Sequence, residues 1–392
     1  MAIATGIRQS MERSSWIRKM FEEGTRLKSV HGEQNVFDFS LGNPDVEPPE
    51  EFFMKLKDLA AGRKPGIHGY MPNAGYDEVR KAIAEGLEKK HGTKIGGGNI
   101  IMTCGAAGGL NVVLKTILDP GDEVIVPKPY FVEYGFYVGN HNGKLVPVKT
   151  NDDFSLNIDN IKKAVTEKTK AVLINSPNNP TGRVYAGEEV GALAGLLRNY
   201  KSAGRTIYLI SDEPYREIVY NKISVPWLFD FYSECFVVTS YSKSLSVPGE
   251  RIGYIALNPS CEDAESIIAG MILCNRIIGF VNAPAFLQRI VSFLGDVRVD
   301  VGPYEKRRNM LMEGLGSAGY EFARPDGAFY LFCRAPGGDD IRFVQHLQKY
   351  NILVVPGAGF DGPGHFRIAY CVPEDVIKRS IQKFKEGLDS YS

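Results

Sequence analysis

The run Ser240-Tyr241-Ser242-Lys243-Ser244 sets a lysine among small hydroxylated residues, directly after the apolar stretch Cys235–Thr239. A lysine amine desolvated at the end of a buried strand loses its proton readily and becomes a nucleophile toward a carbonyl carbon. A lone lysine is more often a solvated surface residue, so the company it keeps matters. Four other segments also place polar or glycine-rich sequence after an apolar run. Cys104-Gly105-Ala106-Ala107-Gly108-Gly109 follows Asn99–Thr103 and opens a helical pattern. It is either a glycine-rich turn or a seat for phosphate on bare helix N–H groups. Pro177-Asn178-Asn179-Pro180-Thr181-Gly182 follows Ala171–Ser176; Asn179 there is a turn former or a hydrogen-bond donor to a ligand. Ser211-Asp212-Glu213-Pro214-Tyr215 follows Thr206–Ile210. A charge at a buried strand end is costly unless paired, so Asp212 is a helix cap or the partner of a cationic group. The fifth segment, Ile352–Gly364, spells G-x-G-x-x-G with Gly357, Gly359 and Gly362. A dinucleotide fingerprint opens a helix early in a βαβ unit. Here Pro363 and a further strand follow, so this cluster is expected to be structural and a nicotinamide dehydrogenase is set aside.

The elements that must carry these residues follow from pattern and length. Apolar runs at 99–103, 122–127, 171–176, 206–212, 235–240 and 252–257 read as strands, several apolar on both faces. Helical segments such as 107–118 and 186–203 separate many of them. This alternation predicts an α/β fold with a mostly parallel central sheet flanked by helices, whose ligands sit beyond the strands' carboxyl ends. Helices are also expected at 75–90, 299–318, 340–349 and 373–390, and strands at 35–41, 328–333, 351–355 and 365–370. Near the N-terminus, Ser14 and Ser15 stand as caps before Trp16, Ile17, Met20, Phe21, Gly24 and Leu27 at helical spacing. A chain of 392 residues exceeds the ~250–300 at which one core stops growing. The expected division is an N-terminal arm and helix (1–45) that joins a smaller α+β domain (286–392), with a large domain between them (46–285).

Composition narrows the function. Forty-six acidic and 46 basic side chains give zero formal charge, without the basic surplus of a nucleic-acid or anionic-membrane partner. No apolar run reaches ~18 residues, and the first residues lack the apolar core of a signal peptide. Six scattered cysteines form no C-x-x-C pair, and the six histidines form no metal-binding pair. A cytoplasmic protein without a metal site is expected.

Taken together, S-P-N-N-P-T-G, S-D-E-P-Y, S-Y-S-K with Arg251 eight residues on, and H-F-R-I-A-Y occur in an order and spacing that resemble the class I/II aminotransferases. These are pyridoxal 5'-phosphate (PLP) enzymes with the aspartate-aminotransferase fold. The resemblance runs from Leu41-Gly42-Asn43-Pro44 to the C-terminal helix. It implies that Lys243 forms a Schiff base with the cofactor and moves the substrate proton. Asp212 would pair with the pyridinium nitrogen, which makes the ring an electron sink. Asn179 and Tyr215 would donate to the phenolic oxygen, and Ser240, Arg251 and the backbone of Gly105, Ala106 and Ala107 would hold the phosphate. Phe131, with neighbouring Tyr130 as the alternative, would stack on the ring. Arg367 would fork onto the substrate α-carboxylate beside the Gly42 loop. Tyr70 would reach the phosphate of a second copy, which implies a homodimer with shared sites. Two features depart from the pattern. Ala106 and Ala107 stand where many relatives carry Ser or Thr, and Arg276 is near, but not at, the spacing of an arginine for a distal carboxylate. The implied activity is ping-pong transfer of an amino group between an L-amino acid and a 2-oxo acid. A β C–S lyase on the same fold is the alternative. A transcriptional regulator is disfavoured, because only about 40 residues precede the match and they carry no helix-turn-helix.

Overall fold

The computed structural model describes residues 3–13, 16–62 and 65–391. Ser14 and Ser15, the expected caps, lie outside the described residues. The helix they precede, Trp16–His31, is present.

A two-residue strand, β1 (Phe37–Asp38), precedes β2 (Ile100–Thr103), β3 (Glu123–Lys128), β4 (Lys144–Lys149), β5 (Thr169–Asn175), β6 (Tyr208–Asp212), β7 (Cys235–Ser240) and β8 (Gly253–Leu257). The last four strands are β9 (Tyr330–Arg334), β10 (Ile352–Leu353), β11 (Val355–Pro356) and β12 (His365–Ala369). Seven strands form the main sheet in the order β2-β8-β7-β6-β5-β3-β4. Strands β3 to β7 run parallel, while β8 is antiparallel to both of its neighbours, β7 and β2. The sheet is thus mostly parallel, as the alternation of strand and helix predicted.

Burial on both faces explains the apolar strands. In β5, Val172 and Ile174 face Leu193, Ala194 and Leu197 of the helix Gly187–Ser202. Ala171 and Leu173 face the opposite way, toward Leu110, Val113 and Leu114 of the helix Gly105–Ile117. Strand β4 had no such signature in the sequence. It is an edge strand whose residues are mostly half-buried or exposed, with a lysine at each end, and edge lysines discourage further pairing.

A second core gathers β9, β12 and β11, the parallel pair β1–β10, and the helices Gly302–Ala318 and Glu374–Asp389. Met20 and Leu27 of the N-terminal helix join it. The helix Ala285–Leu294 still packs Leu287, Ile290, Val291 and Leu294 under the main sheet, and Val299 is the next buried residue to enter the second core. The expected strand 35–41 shrinks to β1. In the G-x-G-x-x-G segment, Gly357–Phe360 is a single helical turn. A Cβ on Gly357 would lie 2.1 Å from the Gly362 carbonyl oxygen, and one on Gly362 would lie 2.8 Å from Pro129 Cβ. These glycines pack chain against chain, so the cluster is structural.

Parallel β5, β6 and β7 bring their carboxyl ends to one rim. Asn175 lies opposite Asp212, and Ser240 and Thr103 both lie opposite Gly253 of β8. The second core closes over this rim.

Candidate active site

The rim encloses a cavity of ≈ 380 Å³, large enough for a small-molecule ligand. Lys243 lies in it, on the single helical turn Tyr241–Ser244 that follows β7. Its Nζ donates to the Gly42 carbonyl oxygen at 2.9 Å and lies 5.5 Å from the Phe329 ring centre. Burial lowers the amine to about 8; Arg251 and Arg367 push it the same way, and nearby Cys371 opposes them.

Asp212 ends β6 and is 5% exposed. Its Oδ2 accepts from the Tyr134 hydroxyl at 2.5 Å. Its Oδ1 is buried and has no partner. Burial pushes the carboxyl to about 7, against the pull of the Tyr134 bond and with a further push from Glu213. A buried carboxylate oxygen left bare on a cavity wall is the natural seat of a protonated ring nitrogen.

Asn179 is held at both ends. Its N–H donates to Asn175 Oδ1 at 2.7 Å, and its own Oδ1 accepts from Arg367 Nη1 at 2.9 Å. A guanidinium only donates, so the amide nitrogen of Asn179 is the end left for a ligand. Arg367 is 2% exposed on β12. It donates from Nη2 to the Ser40 carbonyl at 2.7 Å and lies 4.5 Å and 4.6 Å from the ring centres of Tyr330 and Phe360, while its Nε is unpartnered. Tyr215 shares a 2.7 Å hydrogen bond with the Tyr330 hydroxyl.

The opposite end suits an anion. Ala106 and Ala107 of the first turn of Gly105–Ile117 line the cavity with Ser240 and Arg251. The preceding Cys104 makes no side-chain cap, so the first N–H groups of this helix are open to a ligand. Gly105 has φ +72°, and a Cβ there would lie 2.7 Å from Arg251 Nη2. Arg251 itself has φ +52° and donates from Nη1 to the Pro248 carbonyl at 2.8 Å. The cradle therefore exists only with glycine at 105.

Phe131 and Gly42 also line the cavity, whereas Tyr130 does not. Tyr70 is 94% exposed in a separate hollow with His68 and Phe280, and Arg276 is exposed in the last turn of the helix Ala264–Ile277. Neither reaches the cavity of its own chain. Sequence reasoning missed Tyr134, Asn175 and Tyr330. Asn175 was within reach, since it ends a strand beside the one that ends in Asp212. Tyr330 had no local signal, because its partner Tyr215 is 115 residues away.

The family model for aminotransferase class I and II matches residues 34–384. The chain belongs to this family. The aminotransferase is similar to a solved amino transferase from Eubacterium rectale, with 37% identity over 100% of both chains and a TM-score of 0.97. It is also similar to the aspartate aminotransferase of Thermus thermophilus solved with maleate, at 28% identity over 99% of this chain and 100% of that one, with a TM-score of 0.88. A probable aspartate/prephenate aminotransferase from Aquifex aeolicus is 33% identical over 378 residues, 91% of each chain. These aminotransferase relatives support transamination and lend nothing to the C–S lyase alternative.

Proposed function

We propose that this aminotransferase binds pyridoxal 5'-phosphate in the cavity and moves an amino group between an L-amino acid and a 2-oxo acid in two half-reactions. The unpartnered, buried Oδ1 of Asp212 on the same wall as Lys243 carries this reading. When bound, the cofactor supplies an aldehyde carbon and a ring that withdraws electrons from the substrate Cα.

Lys243 takes the covalent bond to the cofactor and then carries the proton at Cα. Its lowered amine suits both tasks. Asp212 holds the proton of the pyridine nitrogen, and Tyr134 holds Asp212 in place. Asn179 Nδ2 and the Tyr215 hydroxyl donate to the phenolic oxygen. Ser240, Arg251 and the backbone N–H groups of Gly105, Ala106 and Ala107 take the phosphate. Phe131 offers a flat face to the ring. Arg367 forks onto the α-carboxylate beside Gly42, and its two flanking rings keep water from that contact.

Tyr70 is assigned to the phosphate of a second copy, in a homodimer with shared sites; its near-complete exposure in one chain supports this. The cytoplasm is the proposed location. Among the described residues no helix is long and apolar enough to cross a membrane, and all six cysteines are free thiols. The domain division proposed is a large domain from 46 to about 297, with the remaining segments forming the small one. Leu287–Leu294 packs under the main sheet, which moves this boundary beyond 285.

A half-reaction tests the function. Mixing the cofactor-loaded protein with an amino acid should change its visible absorbance and release a 2-oxo acid, and adding a second 2-oxo acid should reverse the change. Lys243→Ala should do neither, even with added pyridoxal phosphate. Pyruvate and ammonia released from a β-substituted amino acid without any acceptor would overturn transamination in favour of elimination.

A further inference from the structure

One charged group on the cavity wall has no role in this chemistry. Glu133 opens the helix Glu133–Gly139, two residues after Phe131, and lines the cavity together with Tyr137 one turn on. The other charged residues lining it are all engaged: Asp212 with the ring nitrogen, Lys243 with the aldehyde carbon, Arg251 with the phosphate and Arg367 with the α-carboxylate.

Among the described residues no cation pairs with Glu133. Burial alone acts on its carboxyl and pushes it up, with no cation near enough to pull it back. Glu133 therefore stands apart from Arg367, in the part of the cavity left to a substrate side chain once the α-carboxylate is seated. A distal carboxylate there meets a second carboxylate in a half-buried setting, which is repulsive. An ammonium or guanidinium meets an unpaired partner. No further cation lines the cavity to receive a distal carboxylate, and Arg276 is off it.

We propose that Glu133 determines the specificity of this aminotransferase, selecting amino donors with a cationic side chain over dicarboxylate donors. The proposal rests on Arg367 binding the α-carboxylate, as in the function proposed here. It departs from the aspartate in the names of the relatives.

The test is the half-reaction of the cofactor-loaded protein with L-ornithine, L-aspartate and, as a neutral reference, L-leucine. It is run on the wild type and on Glu133→Gln, which keeps size and hydrogen bonding. Dissociation constants of the α-methyl analogues of ornithine and aspartate, which have no Cα proton to lose, report binding without turnover. In the wild type, kcat/KM for ornithine should exceed that for aspartate by roughly ten- to a hundredfold, the scale of one charge contact in such a site. Glu133→Gln should shrink that ratio by about tenfold or more, in binding as in turnover. Aspartate equal to or better than ornithine in the wild type, or a ratio unchanged by Glu133→Gln, would overturn the assignment. A wild-type protein that processes none of the three donors would sink the transamination reading, and this proposal with it.

Discussion

Replacing Gly42 by alanine puts one carbon where the structure has no room. A Cβ at this position would lie 2.0 Å from the Tyr330 hydroxyl oxygen and 2.7 Å from Cε1 and Cζ of the same ring. Either the ring or the loop must move. The ring is held on several sides: Tyr330 is 3% exposed, its hydroxyl is bonded to Tyr215 at 2.7 Å, the Arg367 guanidinium lies 4.5 Å from its centre, and Phe329 packs against it edge-on. Turning it aside leaves two buried hydroxyls without their shared bond, at about 1–3 kcal/mol. Overpacking adds about 1–3 kcal/mol. Gly42→Ala is therefore expected to destabilise the protein by about 2–5 kcal/mol, a large part of an ordinary 5–15 kcal/mol. Moving the loop instead would carry the Gly42 carbonyl away from Lys243 Nζ. Urea denaturation of the wild type, Gly42→Ala, Tyr330→Phe and the double variant measures this. Tyr330→Phe removes the atom at 2.0 Å and leaves those at 2.7 Å. The double variant should therefore be more stable than the sum of the singles predicts, by about 1 kcal/mol or more. A Gly42→Ala protein within about 0.5 kcal/mol of wild type, or an additive cycle, would refute the reasoning.

Asp212→Asn keeps an acceptor for the Tyr134 hydroxyl but removes the charge. Turnover should fall on the order of a hundredfold or more, and near-normal kcat would refute the pairing role. Burial holds the Lys243 amine at about 8 rather than its ordinary 10.5, and only the neutral amine attacks a carbonyl. The rate at which cofactor-free protein takes up pyridoxal phosphate, followed by visible absorbance, should rise with pH and level off above about 8. A rate still climbing toward 10.5 would mean that the amine is solvated.

Much of the fold was legible because burial writes itself into composition. The double-faced strands β5, β6 and β7 read as unbroken apolar runs, and the residues just after them, Asp212 and Lys243 among them, could be picked out on that ground. Strand β4 escaped because an edge strand buries too little to leave a pattern. Strand β1 was overestimated because 35–41 is apolar for packing in the second core, not for pairing along its length.

The sequence by itself determined which side chains stand at strand ends and, through motif order, which family the chain resembles. It left Phe131 and Tyr130 undivided, and it said nothing of Tyr134, Tyr330 or the exposure of Tyr70. Tertiary structure decided those, together with the bond from Lys243 to Gly42 across 201 residues and the bond from Arg367 to Asn179 across 188. The reason is physical. Local pattern follows from the burial and backbone preferences of neighbouring residues. Which buried polar groups satisfy one another, and which, like Asp212 Oδ1 and Glu133, are left for a ligand, is set by how distant segments pack around one cavity.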